Sequence, residues 1–263
     1  MKLRLGIFDS GIGGFTILKS LLSTRTDVEV IYLADLARNP YGEKNFHEIR
    51  NIATQITNWF KKKDLDALLI ACNTTNSCAY DILQDKLKIP CFDLINSVSK
   101  TISVKDVGIL ATSATIRSGS YKKIIESRVP DIKVSQQSCP QFVTEIEKIP
   151  MNYEIINYLA DLYLRPLLKR NIKEIILGCS HYPLIYEILR NKIPKDIKIV
   201  DPSIALINNL NQYFQKPKIY KKSKKYDNVE FFATGDIDEF SLKVTNWLEI
   251  NKKISLVSLR TEA

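Results

Sequence analysis

Short apolar runs alternate along the chain with segments in which apolar residues recur at helical spacing. The runs "LRLGIFDS", "VEVIYLAD" and "LDALLIACNTT" each end in polar residues, which predicts buried strands that stop at a polar edge. Over 46–62 the pattern predicts an amphipathic helix instead. Its apolar positions are Ile49, Ile52, Ile56 and Phe60. Strands that alternate with helices predict an α/β fold with parallel strands covered on both faces.

The strand pattern of the first half recurs in the second half. The matched pairs are "LGIFDSGIG" with "VGILATSAT", "VIYLADLAR" with "IKVSQQSCP", and "LDALLIACNTTN" with "IKEIILGCSHYP". Matches in one order predict two similar, pseudo-symmetric α/β domains with mainly parallel sheets and an active site in the cleft between them. We assign 1–97 plus 208–263 to the first domain, which carries Cys72, and 98–207 to the second, which carries Cys179. The late run "VEFFATGD" is expected to return to the first domain.

Cys72 and Cys179 occupy equivalent positions in this repeat, each at the carboxyl end of a predicted strand. Open α/β sheets bind ligands at that end of their strands. Two such domains facing one another would bring the two thiols to opposite walls of one cleft. We also expect a helix after each cysteine, because the amides of a helix N-terminus favour an anion such as a thiolate or a carboxylate.

Three kinds of chemistry use facing thiols. A redox disulfide usually lies in a C-x-x-C motif, which is absent here, and the C-x-H spacing of Cys179 and His181 is poor for zinc. The third kind is two-base stereoinversion, in which one thiolate removes a proton from a carbon acid and the opposite thiol returns one to the other face. The matched pair favours this third kind. Cysteines without a matched partner are expected to be structural, and they are Cys78, Cys91 and Cys139.

Other polar residues at strand ends and turns could line the same cleft. Asp9 and Ser10 close the first strand, and "GIGG" after them would let backbone amides approach a ligand. The turn "RNPYGEK" is suited to closing over a small ligand, and Glu147 could pair with His181. Each has a simpler alternative: a helix cap for Asp9, a surface turn for "RNPYGEK", and a solvated helix face for Glu147.

Composition limits the class of protein. The chain has 263 residues, 45% hydrophobic, and no apolar run near the roughly 20 residues that span a bilayer. Its first residues lack a signal-peptide pattern and its five cysteines are irregularly spaced, so we expect a cytoplasmic protein with reduced thiols. The net charge of +9 is concentrated at 61–63, 121–123 and 220–226. We interpret these lysines as solvated helix ends and loops, with no nucleic-acid and no membrane partner.

Six segments in order resemble the glutamate racemases, of the cofactor-independent aspartate/glutamate racemase superfamily. They are "GIFDSGIGGFTIL", "ADLARNPYGEK", "ACNTTNS", "CPQFVTEIE", "LGCSHYPLI" and "FFATGD". The resemblance implies interconversion of L- and D-glutamate with no pyridoxal phosphate, no metal and no other cofactor. It also implies a role in supplying D-glutamate for peptidoglycan, hence in cell-wall formation and cell shape. The implied assembly is a homodimer, with glutamate bound between two α/β domains.

The resemblance also implies roles for individual residues. Cys72 would be the base for D-glutamate and Cys179 the base for L-glutamate. Asp9 would assist at Cys72, while Glu147 and His181 would assist at Cys179. The implied substrate-binding residues are Asp9, Ser10, Tyr41, Gly42, Asn73, Thr74, Ser180 and His181.

The chain departs from the family pattern at a few positions, and two other functions stay open. Leu36 stands where the family usually has Ser or Thr, Ser180 replaces a usual Thr, and Thr75 replaces a common Ala. One alternative is a related racemase acting on aspartate or a hydantoin. The other is a non-enzymatic binding protein, for instance of nucleic acid, whose binding would weaken steeply as salt rises.

Overall fold

Two parallel sheets organise the chain in the computed structural model, which describes residues 2–215 and 226–259. The strands are β1 Leu3–Asp9, β2 Val28–Asp35, β3 Ala67–Ile70, β4 Cys91–Asp93, β5 Asp106–Ala111, β6 Lys133–Ser138, β7 Glu174–Gly178, β8 Lys198–Val200, β9 Val229–Thr234 and β10 Ile254–Leu256. A six-stranded sheet has the order β10-β9-β2-β1-β3-β4, and a four-stranded sheet has the order β6-β5-β7-β8. Every paired neighbour is parallel, which confirms the predicted fold class.

Helices connect the strands and cover the sheets. They are α1 Phe15–Thr24, α2 Phe46–Phe60, α3 Asn73–Leu87, α4 Leu94–Ser99, α5 Ser113–Ser118, α6 Ser120–Arg128, α7 Phe142–Ile146, α8 Tyr153–Leu168, α9 Tyr186–Lys192, α10 Pro202–Tyr213 and α11 Ile237–Leu248, with short 3-10 turns at Leu36–Arg38 and Tyr182–Ile185. The helix predicted over 46–62 is α2, and its four apolar positions are buried. A capping box between Asn45 and Glu48 fixes where it begins.

Each sheet is covered on both faces, as its apolar strands require. Ile7 and Phe8, adjacent in β1, pack into different apolar clusters, because successive strand side chains point to opposite faces. Ile175 and Ile176 in β7 divide in the same way between the two faces of the smaller sheet. Burying one such side chain contributes about 1.5–3 kcal/mol. The apolar strand residues fill these clusters, so the polar residues that follow the strands lie at the carboxyl edge of each sheet.

The strand β9 of "VEFFATGD" pairs with β2 and so belongs to the six-stranded sheet. Strands β1 to β4 lie in that sheet too, whereas β5 to β8 form the smaller one. The residue boundaries 1–97 plus 208–263 and 98–207 stay a prediction.

The lysine clusters lie mainly on the surface. Lys61 and Lys62 are exposed, and Lys63 Nζ lies 4.7 Å from the ring centre of Trp59. In the cluster at 121–123, Lys122 and Lys123 are exposed and Tyr121 is buried. Of the cluster at 220–226, positions 220–225 lie outside the described residues. All five cysteines are free thiols. In residues 2–215 and 226–259, no helix has the length and apolar character needed to cross a membrane.

Candidate active site

The two matched cysteines follow equivalent strands of the two sheets. Cys72 comes just after β3, which pairs with β1, and Cys179 comes directly after β7, which pairs with β5. Their residues are only 3% and 5% exposed. Because parallel strands end at one edge, Ser10 after β1 meets Cys72 after β3, and the Sγ of Cys72 lies 3.8 Å from the Oγ of Ser10.

The Cys72 thiol lies at the start of a helix but in a buried, negatively charged setting. The helix α3 begins at Asn73, as expected. Burial, and then the nearby carboxylate of Asp9, raise the pKa of Cys72 to about 12, although the hydrogen bond with Ser10 opposes this rise. Cys72 is therefore a protonated thiol at neutral pH, which suits it to donate a proton.

The Cys179 thiol lies beside a buried imidazole. The Nδ1 of His181 is 3.8 Å from the Sγ of Cys179, and its Nε2 is 2.6 Å from Oε1 of Glu147. Burial alone would lower the pKa of His181, but hydrogen bonds with Cys179 and Glu147 and the charge of Glu147 raise it well above the usual value. The contact between Glu147 and His181 is the one that the sequence analysis expected.

A helical segment follows Cys179, as expected, but it begins as a 3-10 turn. The residues from Tyr182 to Ile185 form a 3-10 turn, and α9 begins only at Tyr186. Pro183 has no N–H to donate, so it is tolerated only at the beginning of a helical segment. The polar partner that the structure shows for the Cys179 thiol is the imidazole of His181.

Glu147 connects the site to several parts of the chain. Its Oε1 also accepts hydrogen bonds from the Ile12 N–H at 3.2 Å and from Asn39 Nδ2 at 3.1 Å. Its Oε2 accepts one from Lys243 Nζ at 2.7 Å. Burial alone would raise the pKa of Glu147, but His181 and Lys243 together lower it to about 2. Glu147 is therefore an ionised carboxylate at neutral pH, not part of a solvated helix face.

Lys243 was not among the site residues predicted from the sequence. The residue is only 4% exposed, and it lies on the buried face of α11. That face also contains Phe240, Val244 and Leu248. A lysine within an apolar stripe at helical spacing was the signal available in the sequence.

Asp9 bridges the two sheets and does not cap a helix. Its Oδ1 accepts a hydrogen bond from the Gly11 N–H at 2.8 Å, and its Oδ2 accepts one from Ser180 Oγ at 2.9 Å. The N-cap of α1 is Gly14. Burial raises the pKa of Asp9, although the charge of His181 opposes the rise.

The glycines of "GIGG" allow close contact within the protein. A Cβ on Gly13 would clash with Ser180 Oγ and lie 2.6 Å from Nδ1 of His181. A Cβ on Gly11 would clash with Oε1 of Glu147. These glycines were predicted to let backbone amides approach a ligand, whereas the structure places Ser180, His181 and Glu147 against them.

The turn at 38–44 is held by both sheets. The Tyr41 hydroxyl donates to Oδ2 of Asp35, which also accepts from Arg38 Nε at 2.7 Å. The Gly42 carbonyl accepts from the Ala114 N–H at 2.7 Å. The hydroxyl of the buried Tyr41 is thus already hydrogen-bonded to Asp35, so a ligand would contact the backbone of Tyr41.

Asn73 and Thr74, at the start of α3, contact residues that the sequence analysis missed. The Tyr121 hydroxyl donates to Asn73 Oδ1 at 2.6 Å, and the hydroxyl oxygens of Thr74 and Thr112 lie 2.9 Å apart. Tyr121 lies in α6 and Thr112 directly follows β5, so both contacts cross to the side of the smaller sheet. These partners are 48 and 38 positions apart along the chain, so no local sequence pattern predicts the contacts.

The arrangement can accept and donate protons at two separate thiols. One thiol has a hydroxyl and a carboxylate nearby, and the other has an imidazole held by a carboxylate. Among the residues that the structure describes, no three His, Cys, Asp or Glu side chains are grouped so that they could hold a metal ion.

Comparisons with known proteins agree with this fold and these motifs. The Asp/Glu/Hydantoin racemase family matches residues 17–210. A glutamate racemase of Prochlorococcus marinus (strain NATL1A) is 44% identical over 259 residues, which cover 98% of each chain. The crystal structure of glutamate racemase from Francisella tularensis in complex with D-glutamate matches with a TM-score of 0.88 and 34% identity, over 98% of each chain. A glutamate racemase isoform of Bacillus anthracis matches with a TM-score of 0.89 and 26% identity, again over 98% of each chain.

The fold, the motifs and these relatives define an amino-acid racemase, which is an isomerase, and this confirms the class of enzyme that the sequence predicted. The chain belongs to the Asp/Glu/Hydantoin racemase family.

Proposed function

We propose that the protein interconverts L- and D-glutamate by a two-base mechanism in which Cys72 and Cys179 act on opposite faces of Cα, with no pyridoxal phosphate or metal. The observation that carries the proposal is the pair of buried thiols at equivalent strand ends, each with its own polar partners. The choice of glutamate is supported by the Prochlorococcus relative, named a glutamate racemase, at 44% identity.

In the L-to-D direction, the Cys179 thiolate removes the Cα proton and becomes a thiol. The electron pair left on Cα then takes the proton of the Cys72 thiol, which becomes a thiolate. The raised pKa of Cys72 supports its role as the proton donor in this direction. On the other side, Nδ1 of His181 lies 3.8 Å from Sγ of Cys179, so the imidazole is placed to assist proton transfer at that thiol. The D-to-L direction uses the same steps in reverse.

The Cα proton is weakly acidic, so the substrate must be held firmly away from water. We assign this task to the residues around the two thiols. Asp9 can accept hydrogen bonds from the substrate ammonium group. Hydroxyl and amide groups at the strand ends and in the turn at 38–44 can bind its carboxylates, and these groups belong to Ser10, Tyr41, Gly42, Asn73, Thr74, Ser180 and His181.

The proposed biological role is supply of D-glutamate for peptidoglycan, hence for cell-wall formation and cell shape. This role is supported by the resemblance to glutamate racemases. A homodimer and a cytoplasmic location are part of the same proposal.

Circular dichroism of L-glutamate incubated with pure, chelator-treated protein tests the proposal. We expect the optical signal to decay toward zero with no cofactor added. Activity that needs pyridoxal phosphate, or that a chelator removes and zinc restores, would contradict the mechanism. Activity confined to aspartate or to a hydantoin would instead contradict the choice of glutamate.

A further inference from the structure

A lysine from the C-terminal part of the chain reaches the candidate site. Lys243 lies in α11, which follows β9 of the six-stranded sheet. Its Nζ is 2.7 Å from Oε2 of Glu147 and 2.7 Å from Oε1 of Glu239. The Glu239 side chain is 58% exposed, whereas the side chains of Lys243 and Glu147 are 5% and 10% exposed. A buried ammonium group is costly unless it is paired, so the contact with Glu147 is the one that stabilises Lys243 at this position.

The two oxygens of Glu147 have different partners. Oε1 faces His181, Asn39 and the Ile12 N–H, and Oε2 faces Lys243. Lys243 therefore holds the oxygen that His181 leaves free. Without it, the carboxylate loses the charged donor that fixes its orientation, and it can turn away from the imidazole or take up a proton.

We propose that Lys243 is a positioning residue: it fixes Glu147 as a carboxylate in one orientation, and Glu147 in turn orients His181 toward the Cys179 thiol. The chain of contacts runs from Lys243 through Glu147 and His181 to Cys179, with separations of 2.7, 2.6 and 3.8 Å. The effect on racemisation rests on the proposed function. The positioning of His181 does not, and it is tested separately.

The electrostatic setting of Glu147 supports this role. Within residues 2–215 and 226–259, the charged groups that face it are His181, Lys243 and the carboxylate of Asp9. On its own segment, Glu145 pairs with Lys148 at 2.8 Å. Removing the positive charge of Lys243 would leave Glu147 with His181 as a facing cation and with the carboxylates of Asp9 and Glu239 nearby, so its pKa would rise.

The kinetic test compares Lys243→Met with Lys243→Arg. The methionine keeps most of the length of the side chain without its charge, and we expect kcat to fall about ten- to a hundredfold, with KM nearly unchanged. The arginine keeps a charged donor and should restore part of the rate. Glu239→Gln, which alters only the exposed partner of Lys243, should stay close to wild type. Equal rates for wild type and Lys243→Met would overturn the proposal.

The pH profile adds a readout that a general loss of packing would not move. In Lys243→Met the acidic limb of the kcat profile should move to higher pH, because Glu147 then protonates at higher pH and no longer holds His181. In a Glu147→Gln background the further change Lys243→Met should have little effect on kcat. An unchanged limb, or an additive loss in the double variant, contradicts action through Glu147.

The chain has only two histidines, so NMR can follow His181 without any substrate. His47 lies near the exposed start of α2 and serves as the internal reference. We expect a strongly downfield Nε2 proton of His181 in the wild type, from its hydrogen bond to Glu147, and its loss or shift in Lys243→Met. If Lys243→Met does not fold, Lys243→Gln takes its place, since it also removes the charge.

These outcomes separate the two proposals. A wild type that does not racemise glutamate, with a His181 proton that responds to Lys243→Met, contradicts the proposed function and leaves the positioning role supported. An active wild type with an unaltered His181 proton and unaltered rates in the variant contradicts the positioning role alone.

Discussion

Ser180 donates a hydrogen bond from its Oγ to Oδ2 of Asp9 at 2.9 Å. Ser180 lies just beyond β7 of the smaller sheet, and Asp9 is the last residue of β1 of the larger one. Asp9 is a neighbour of Cys72 and Ser180 directly follows Cys179, so this hydrogen bond links residues next to the two thiols. Through this bond, one carboxylate oxygen of the buried Asp9 accepts a hydrogen bond from a residue that follows a strand of the smaller sheet.

Replacing Ser180 by alanine should weaken catalysis. A hydrogen bond to a charged group contributes about 1.5–3 kcal/mol, so kcat/KM should fall roughly ten- to a hundredfold if the bond persists in the transition state. Ser180→Thr keeps the hydroxyl and should retain most of the activity. Steady-state kinetics on L-glutamate compares them. Equal losses in both variants would show that size, and not the hydroxyl, matters at this position.

The two matched cysteines should each be required for racemisation. Loss of a general acid or base costs about 10²- to 10⁴-fold in rate. Cys72→Ala and Cys179→Ala should therefore each reduce kcat by at least about 10²-fold. Cys91→Ala removes a thiol in β4 that has no matched partner and should keep near wild-type activity. Circular dichroism of the backbone verifies folding. Near wild-type turnover in Cys72→Ala or Cys179→Ala would show that the replaced cysteine is structural and not catalytic.

Hydrogen isotope exchange should distinguish two bases from one. In heavy water the delivering thiol carries deuterium before it acts, so the enantiomer formed early should carry deuterium at Cα. The unreacted enantiomer should stay mostly protiated, because the proton removed by one thiol is not delivered by the other.

Mass spectrometry of chirally separated glutamate makes this measurement at low conversion. A single shared base would wash deuterium into the recovered L-glutamate and return some original proton to the product. Substantial deuterium in recovered L-glutamate would contradict the two-thiol mechanism even if racemisation itself were observed.

Glu147 should contribute to stability over an acidic pH range. Its pKa is lowered from 4.5 to about 2 in the folded protein. A lowered carboxyl pKa stabilises the fold above the unfolded value of 4.5. This contribution, on the order of 3 kcal/mol, is lost as the pH falls through the folded value.

Urea unfolding at a series of pH values checks this prediction. The free energy of unfolding of Glu147→Gln should fall less steeply than that of wild type between pH 4.5 and about 2. Glu145→Gln removes an equal charge two residues earlier, from a pair with Lys148, and should keep a slope close to wild type. Equal slopes for Glu147→Gln and wild type would show that Glu147 does not carry this pH dependence.

The apolar pattern of the sequence was enough to predict the parallel α/β fold, because local periodicity and strand burial are both properties of short segments. Strand β2 coincides with the predicted run "VEVIYLAD", and α2 ends two residues before the predicted boundary. The helix predicted after Cys179 begins at Tyr182 as a 3-10 turn and continues as α9 from Tyr186, a detail of geometry that the apolar pattern did not specify.

The sequence by itself determined the fold class, the repeated strand ends that present Cys72 and Cys179, and the motifs of the racemase family. The tertiary structure alone decided which distant residues meet there. Glu147 lies 96 positions from Lys243, and Tyr121 lies 48 positions from Asn73, so no local pattern records either contact. The physical reason is that a buried charge or hydroxyl needs a partner, but the sequence specifies only the need, whereas the packing of the two sheets selects which residue meets it.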